Sequence, residues 1–380
     1  MKRLHLHRLL LNKKNKNRIF FILRNLIDPW FTKNKNQIVL YSSTGMLDAN
    51  LVCVKEYLVS YHPELKLVVL NGKVKRSLKA SLQFLYAFFS SYYIIVDHAI
   101  PRFLTNRKRK IFNVWHGISL KTIRHFDKNR FTDKFLDFES KNLSGLVCSS
   151  VLDQAVMAAC FNIPLSKCIL SGLPRADLLD EKGLDWLIDA QEKGLIEALN
   201  GRKLVSWMPT YRGTWKQKNR IVAFSNDEEV LLCDFLQKNN AVLGIRPHKF
   251  SKLQPLPLIE ACGLLLNLEE YELTNTLLKH THTLITDYSS VWLDFSLISS
   301  NTCLYLFDEE KYGDERGMIY PLDEVLSGEI TKNFEQLLVS LNTMINRDEN
   351  TVFEPSKLFF KYRDNANTQR FIEYIMDDNE

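Results

Sequence analysis

The run Gln37-Ile38-Val39-Leu40-Tyr41, followed at once by Ser42-Ser43-Thr44-Gly45, decides the fold class. A short uncharged run that stops at small polar residues is how a strand buried on both faces reads, and such strands belong to parallel sheets. The pattern then repeats. A helical stretch near 48–61 leads to a strand over Leu65–Leu70, and Ser77–Ser90 reads as a helix. Tyr92–Val96, Lys110–Val114, Leu143–Cys148 and Lys167–Leu170 complete a first set of strands. Residues 180–200 are charged and helical, are interrupted by Gly183 and Gly194 and are followed by Gly201; they mark a domain boundary. A second set follows, with strands over Lys203–Trp207, Ala241–Ile245, Gly263–Leu268, Thr283–Thr286 and Thr302–Phe307. Helices are expected over Asp227–Lys238, Thr274–Lys279 and Val291–Ile298, and near 333–345 and 367–377. The expected architecture is α/β, with two doubly wound parallel-sheet domains facing a cleft: residues 37–199 and 200–380.

Composition agrees with a folded chain of this size. The 380 residues are 46% hydrophobic and 25% charged, which excludes a disordered, collagen-like or coiled-coil protein. Charge is unevenly placed. Residues 1–36 hold ten Lys or Arg and one acid, Asp28, so this segment is +9 and the remainder sums to −3. Phe20, Phe21, Leu23, Ile27, Trp30 and Phe31 are interleaved with those cations. A basic amphipathic segment lying on an anionic membrane surface is the expected reading; a helix packed on the body with a solvated basic face is the alternative. Excess charge confined to one end speaks against a nucleic-acid partner, which would draw basic residues over a folded face. The seven cysteines are scattered without a CxxC and read as reduced thiols, mostly buried.

In doubly wound sheets, ligands bind beyond the carboxyl ends of the strands. Four strand ends carry chemistry. Trp115-His116-Gly117 places an imidazole next to a residue that allows close backbone approach, with Lys121 downstream. Pro209-Thr210-Tyr211-Arg212 offers a hydroxyl and a forked cation, and Arg246-Pro247-His248-Lys249 clusters groups suited to a diphosphate. Thr286-Asp287-Tyr288-Ser289-Ser290 opens the helix expected from Val291, so Ser289 or Ser290 is a candidate N-cap at a phosphate-binding terminus. Each of these, taken alone, is equally well a capping or turn segment. His280 and His282 are two apart with no third ligand at metal spacing and are taken as structural. No P-loop, GxGxxG or GxSxG is present, which removes the signatures of dehydrogenases, kinases and α/β-hydrolases.

Taken in order, NVWHGISLK (113–121), GLPRADL (172–178), PTYR (209–212), RPH (246–248), LITDYSSVWLDF (284–295) and DERG (314–317) resemble the CDP-glycerol glycerophosphotransferase family. The resemblance covers about residues 90–320 and implies a glycosyltransferase-B-like fold with the donor held mainly by the second domain. It implies transfer of glycerol phosphate from CDP-glycerol to a lipid-linked acceptor, a polyprenyl-diphosphate saccharide or poly(glycerol phosphate), in teichoic acid or capsule synthesis. The setting it implies is peripheral, at the cytoplasmic face of the cell membrane. By the same resemblance His116 and His248 are catalytic, and Gly117 and Lys121 lie on the acceptor side. Thr210, Arg212, Arg246, Asp287, Ser289, Ser290, Arg316 and Gly317 hold the donor. The sequence requires no cofactor and leaves a divalent metal open. A sugar or ribitol-phosphate transferase of the same fold is the alternative. Ile118-Ser119 stand where the family has Thr-Pro, which bears on the acceptor more than on the reaction.

Overall fold

A computed structural model describes residues 19–377 apart from 73–75, 128–130, 181–183, 188, 211–212, 215–216, 219, 222–223, 248–251, 309–316, 327 and 348–355. It contains two six-stranded sheets, every strand pair of which is parallel. The first runs, edge to edge, Lys66–Asn71, Asn34–Ser42, Ser91–Val96, Lys110–Asn113, Gly145–Cys148 and Cys168–Leu170. The second runs Leu265–Asn267, Ala241–Ile245, Lys203–Trp207, Thr281–Thr286, Thr302–Tyr305 and Glu329–Thr331. The strands Gly145–Cys148, Thr281–Thr286 and Thr302–Tyr305 are buried end to end, and the other inner strands are buried over most of their length.

Helix starts follow local chemistry. Asp48, Ser77 and Ser225 each accept a backbone N–H from the first turn of the helix they precede, and Ser225 forms a reciprocal capping box with Glu228. The charged stretch 180–200 yields a shorter helix than expected, Ala190–Leu199, preceded by a 3-10 segment, Pro174–Leu179. Helices Asp133–Asn142 and Val151–Phe161 and the edge strand Glu329–Thr331 add to the elements read from sequence.

In the second sheet the strand order reverses between Lys203–Trp207 and Thr281–Thr286. That switch point is where a doubly wound sheet opens a crevice for a ligand. The two halves share a continuous core. One apolar cluster extends from Ile38 and Leu40 through Leu173 and Leu179 to Leu277, Leu278 and Trp292. The last helix, Asn367–Asp377, returns to the first half: Phe371 packs edge-on against Phe112, and Asp177 accepts hydrogen bonds from Asn367 and Thr368.

The N-terminal segment divides. Residues 1–18 lie outside the described residues. Asp28 is buried, where it pairs with Arg109 and, at 2.8 Å, with Lys33, and Asn34–Asn36 already belong to the first strand. From Asp28 on, the segment is therefore tied to the body through Asp28 and the first strand, while Trp30 stays exposed. Six of the seven cysteines are buried and Cys262 is exposed. Among the described residues no helix is long and apolar enough to cross a membrane.

Candidate active site

A cavity of about 740 Å³ opens at the switch point of the second sheet, between the two halves. His116, Gly117 and Lys121 wall it from the first half. Thr210, Arg246, Ser289, Ser290 and Gly317 wall it from the second. Residues from five segments spread over some two hundred positions thus meet in one space. Arg212, His248 and Arg316 lie outside the described residues.

The His116 loop is held in an unusual shape. Trp115 adopts φ 50° and Gly117 φ 134°, the second a conformation that favours glycine. His116 is exposed at the cleft and its ring contacts two neighbours. It stacks on His98 with ring centroids 4.3 Å apart and planes 11° from parallel, and lies against Trp115 at 4.1 Å. His98 Nδ1 is 2.8 Å from Asp97 Oδ1. Burial first, then the nearby His98, Arg175 and Arg124 charges, push the His116 pKa well below the usual imidazole value; a hydrogen bond to the Asp97 backbone opposes them. The ring is therefore neutral near pH 7, the form that accepts a proton.

Two bridges fix this loop to the second half. Thr122 N–H donates to the Gly317 carbonyl at 2.9 Å and Ile319 N–H to the Leu120 carbonyl at 2.8 Å, around the pairing of Lys121 with Met318. The second bridge is Arg175, from the GLPRADL segment. Its Nε and Nη2 donate to the Asp294 carboxylate at 3.1 and 2.6 Å, and its Nη1 donates to the His116 carbonyl at 2.7 Å. Asp294 lies in the helix Val291–Phe295 that follows Ser289 and Ser290, so one guanidinium ties the imidazole loop to the opposite wall. A Cβ added at Gly117 would meet Arg175 Nη2 at 2.5 Å. Gly117→Ala should accordingly destabilise the protein by ~1–3 kcal/mol through backbone strain alone and displace Arg175. Calorimetric melting of the variant checks this, and an unchanged melting temperature would contradict it.

The structure adds to three sequence expectations. Asp287 is buried behind the wall, where its carboxylate accepts from Thr210 N–H at 2.9 and 3.1 Å and from the Thr210 hydroxyl. It shapes the Thr210 loop from behind the cavity. Arg246 contributes to the wall, and its Nη1 and Nη2 donate to the carbonyls of Leu268, Tyr271 and Glu272, which holds the guanidinium against the 268–272 backbone. The helix after Ser290 is one turn, Val291–Phe295, and not 291–298, which weakens the dipole argument. Ser290 occupies the N-cap position without a side-chain capping bond, and Ser289 Oγ lies 3.4 Å from the Val291 N–H.

Arg175 and Asp294 are the site residues that reading strand ends alone passes over, while Asp97-His98 stand at the end of the strand Ser91–Val96 and are open to that reading. His280 and His282 are structural: His280 Nε2 pairs with Glu192 at 2.7 Å and buried His282 lies 3.0 Å from the Thr283 hydroxyl. Among the described residues no group of three or more metal-ligating side chains is assembled.

Comparison with known proteins gives a consistent answer. The family model described as CDP-Glycerol:Poly(glycerophosphate) glycerophosphotransferase matches residues 5–377. The chain is 25% identical over 288 residues to the teichoic acid ribitol-phosphate polymerase TarL of Staphylococcus aureus, covering 74% of this chain and 51% of that protein. It therefore spans about half the length of that relative. It is 23% identical to the teichoic acid glycerol-phosphate primase of Bacillus subtilis, covering 76% of this chain and 74% of the relative. The solved structure of the wall teichoic acid polymerase TagF superposes with a TM-score of 0.75 at 18% identity, over 98% of this chain and 95% of that one. That likeness extends to both halves and establishes the glycosyltransferase-B-like fold.

Proposed function

The chain belongs to the CDP-glycerol:poly(glycerophosphate) glycerophosphotransferase family, and from that membership we propose that it transfers glycerol phosphate from CDP-glycerol to a hydroxyl of a lipid-linked acceptor in teichoic acid or related polymer synthesis. The observation that carries the proposal is the convergence of His116, Thr210, Ser289, Ser290 and Gly317 on one cleft between the halves. A matched TagF structure, with a TM-score of 0.73 and 20% identity, was soaked with CDPG, which supports the same donor class here.

On this reading the acceptor oxygen attacks the β-phosphorus in line. The bond from that phosphorus to the oxygen bridging the two phosphates breaks, and CMP leaves with that oxygen. The acceptor proton passes to the neutral His116 ring. The hydroxyls of Thr210, Ser289 and Ser290 donate to phosphate oxygens, where positioning and charge stabilisation carry most of the rate. His248, Arg212 and Arg316 supply further positive charge in the proposal. Gly117 and Lys121 border the acceptor side. No resident metal enters this scheme. The setting is peripheral, at the cytoplasmic face of the membrane, where the acceptor lipid is held.

Ribitol phosphate is the second donor to consider, because ribitol-phosphate polymerases are among the relatives at 25–26% identity. Incubation of the full chain with a lipid-linked acceptor and CDP-glycerol, CDP-ribitol or a sugar nucleotide, with and without a chelator, separates these readings. The expected result is CMP release and acceptor mass gained in glycerol-phosphate steps, unaffected by chelation. Product from CDP-ribitol alone would replace the donor, and product from a sugar nucleotide alone would replace the reaction.

A further inference from the structure

A second cavity, of about 360 Å³, opens between the N-terminal helical turn and the helix Asp133–Asn142. Phe20, Phe21, Phe135 and Phe138 line it together with Arg24, Arg102 and Lys134, and no carboxylate does. Two of the cations lie over the rings: Arg24 is 5.6 Å from the Phe138 centroid and Arg102 is 4.7 Å from that of Phe135.

Among the described residues, Arg24, Arg102 and Lys134 form no ion pair with a carboxylate. The first acid in the sequence is Asp28, which is buried against Arg109 and Lys33. Asp133 and Asp137, on the same helix as Lys134, Phe135 and Phe138, are exposed and outside the wall, and buried Glu139 pairs with Arg124 at 3.2 Å and also feels the Arg102 charge. Phe21 of the lining is 55% exposed, and further along the same N-terminal segment Leu26 is 57% and Trp30 87% exposed. Exposed aromatic and aliphatic groups among cations suit the headgroup boundary of a bilayer.

An aromatic floor beside three cations that form no ion pair among the described residues fits an amphiphile with a hydrocarbon chain and a phosphate at its head. A bare phosphate would leave the rings unused, and a neutral chain would leave the cations unused. We propose that this cavity binds an anionic phospholipid of the bilayer, with its chain among the phenylalanines and its phosphate under Arg24, Arg102 and Lys134. The site deepens the membrane association proposed above. Arg102, Lys134, Phe135 and Phe138 belong to the folded body, so part of the anchor lies beyond the basic N-terminus. Arg124 lies 6.0 Å from the Phe135 centroid and 4.8 Å from that of Trp115, the residue before His116.

Titration of the full chain with dodecyl phosphate, below micelle formation, tests the site directly. Saturable binding is expected, with neither dodecyl maltoside nor inorganic phosphate competing at matched concentration. Arg102→Gln and Lys134→Gln, both on exposed side chains, should each weaken binding about five-fold, the weight of one cation beside an anionic headgroup. The same variants should sediment less with phosphatidylglycerol vesicles and match wild type on phosphatidylcholine. Competition by inorganic phosphate would reduce the site to an anion site, and equal binding of dodecyl maltoside would reduce it to an apolar groove. Undiminished binding by both variants would also overturn the proposal. Transfer to a short soluble acceptor is measured alongside and stays at the wild-type level in both variants. If wild type itself shows no transfer, the transferase reading fails while the lipid result stands.

Discussion

His116→Ala should lower transfer by ~10²–10⁴-fold while leaving donor binding within a small factor of wild type, the share usual for a lost general acid–base group. The residue stands exposed at the cleft, its ring stacked on His98 and in contact with Trp115. Its depressed pKa keeps it neutral near pH 7, so the base is available without prior deprotonation. The sign of the pH effect follows. A base with a lowered pKa stays competent as the medium is acidified, so kcat/KM should hold through about pH 6.5, the ordinary imidazole value, and fall only below it. His98 is one of the charges that lower the pKa, so His98→Gln should move that acid limb upward and retain most of kcat. Steady-state kinetics across pH, with calorimetric donor titration of His116→Ala, read both effects. Full activity in a folded His116→Ala would make the residue a turn element and assign the base elsewhere.

Much of this site is legible in the amino-acid sequence, because parallel sheets put chemistry at strand ends and buried strands announce themselves as unbroken apolar runs. Lys203–Trp207 and Ala241–Ile245 have the same bounds in sequence and structure, and the segments after them meet in the cleft. What stays hidden is non-local. Nothing local to Arg246 says that its guanidinium is held against the backbone of residues 268–272. Asp287 looks misplaced beside an anion until Thr210, 77 residues earlier, is brought onto it. The helix Val151–Phe161 has a legible start in Ser150, whose hydroxyl accepts the Asp153 N–H, but it is apolar on most faces and lacks the usual stripe. The final helix shows the opposite limit. Phe371, Ile372 and Ile375 declare a buried face, yet nothing local says that this face returns to the first half.

Arg175 and Asp294 are separated by 119 residues and form the other contact that no local pattern shows. Replacing Arg175 by Ala should cost about 3–5 kcal/mol of stability, the range for breaking a buried pair and stranding its partner. Both side chains are largely enclosed, at 12% and 4% exposure, and the geometry is a two-pronged fork. Burial already raises the Asp294 pKa above the ordinary carboxylate value, and Arg175 works against that rise. Without Arg175 the pKa climbs further. A carboxyl whose folded pKa is raised contributes most when protonated, at low pH, and loses that contribution as pH rises through the folded pKa. The deficit of Arg175→Ala should therefore be largest at about pH 7 and shrink toward about pH 5, as urea unfolding at the two values would record. Arg175→Lys keeps the charge but not the fork, so it should fall between wild type and Arg175→Ala. Turnover should suffer with stability, because Nη1 also holds the His116 carbonyl at 2.7 Å and the fork holds Asp294 in the helix after Ser289 and Ser290. A variant as stable as wild type at both pH values would mean that the apolar core joining the halves, not this pair, sets their alignment.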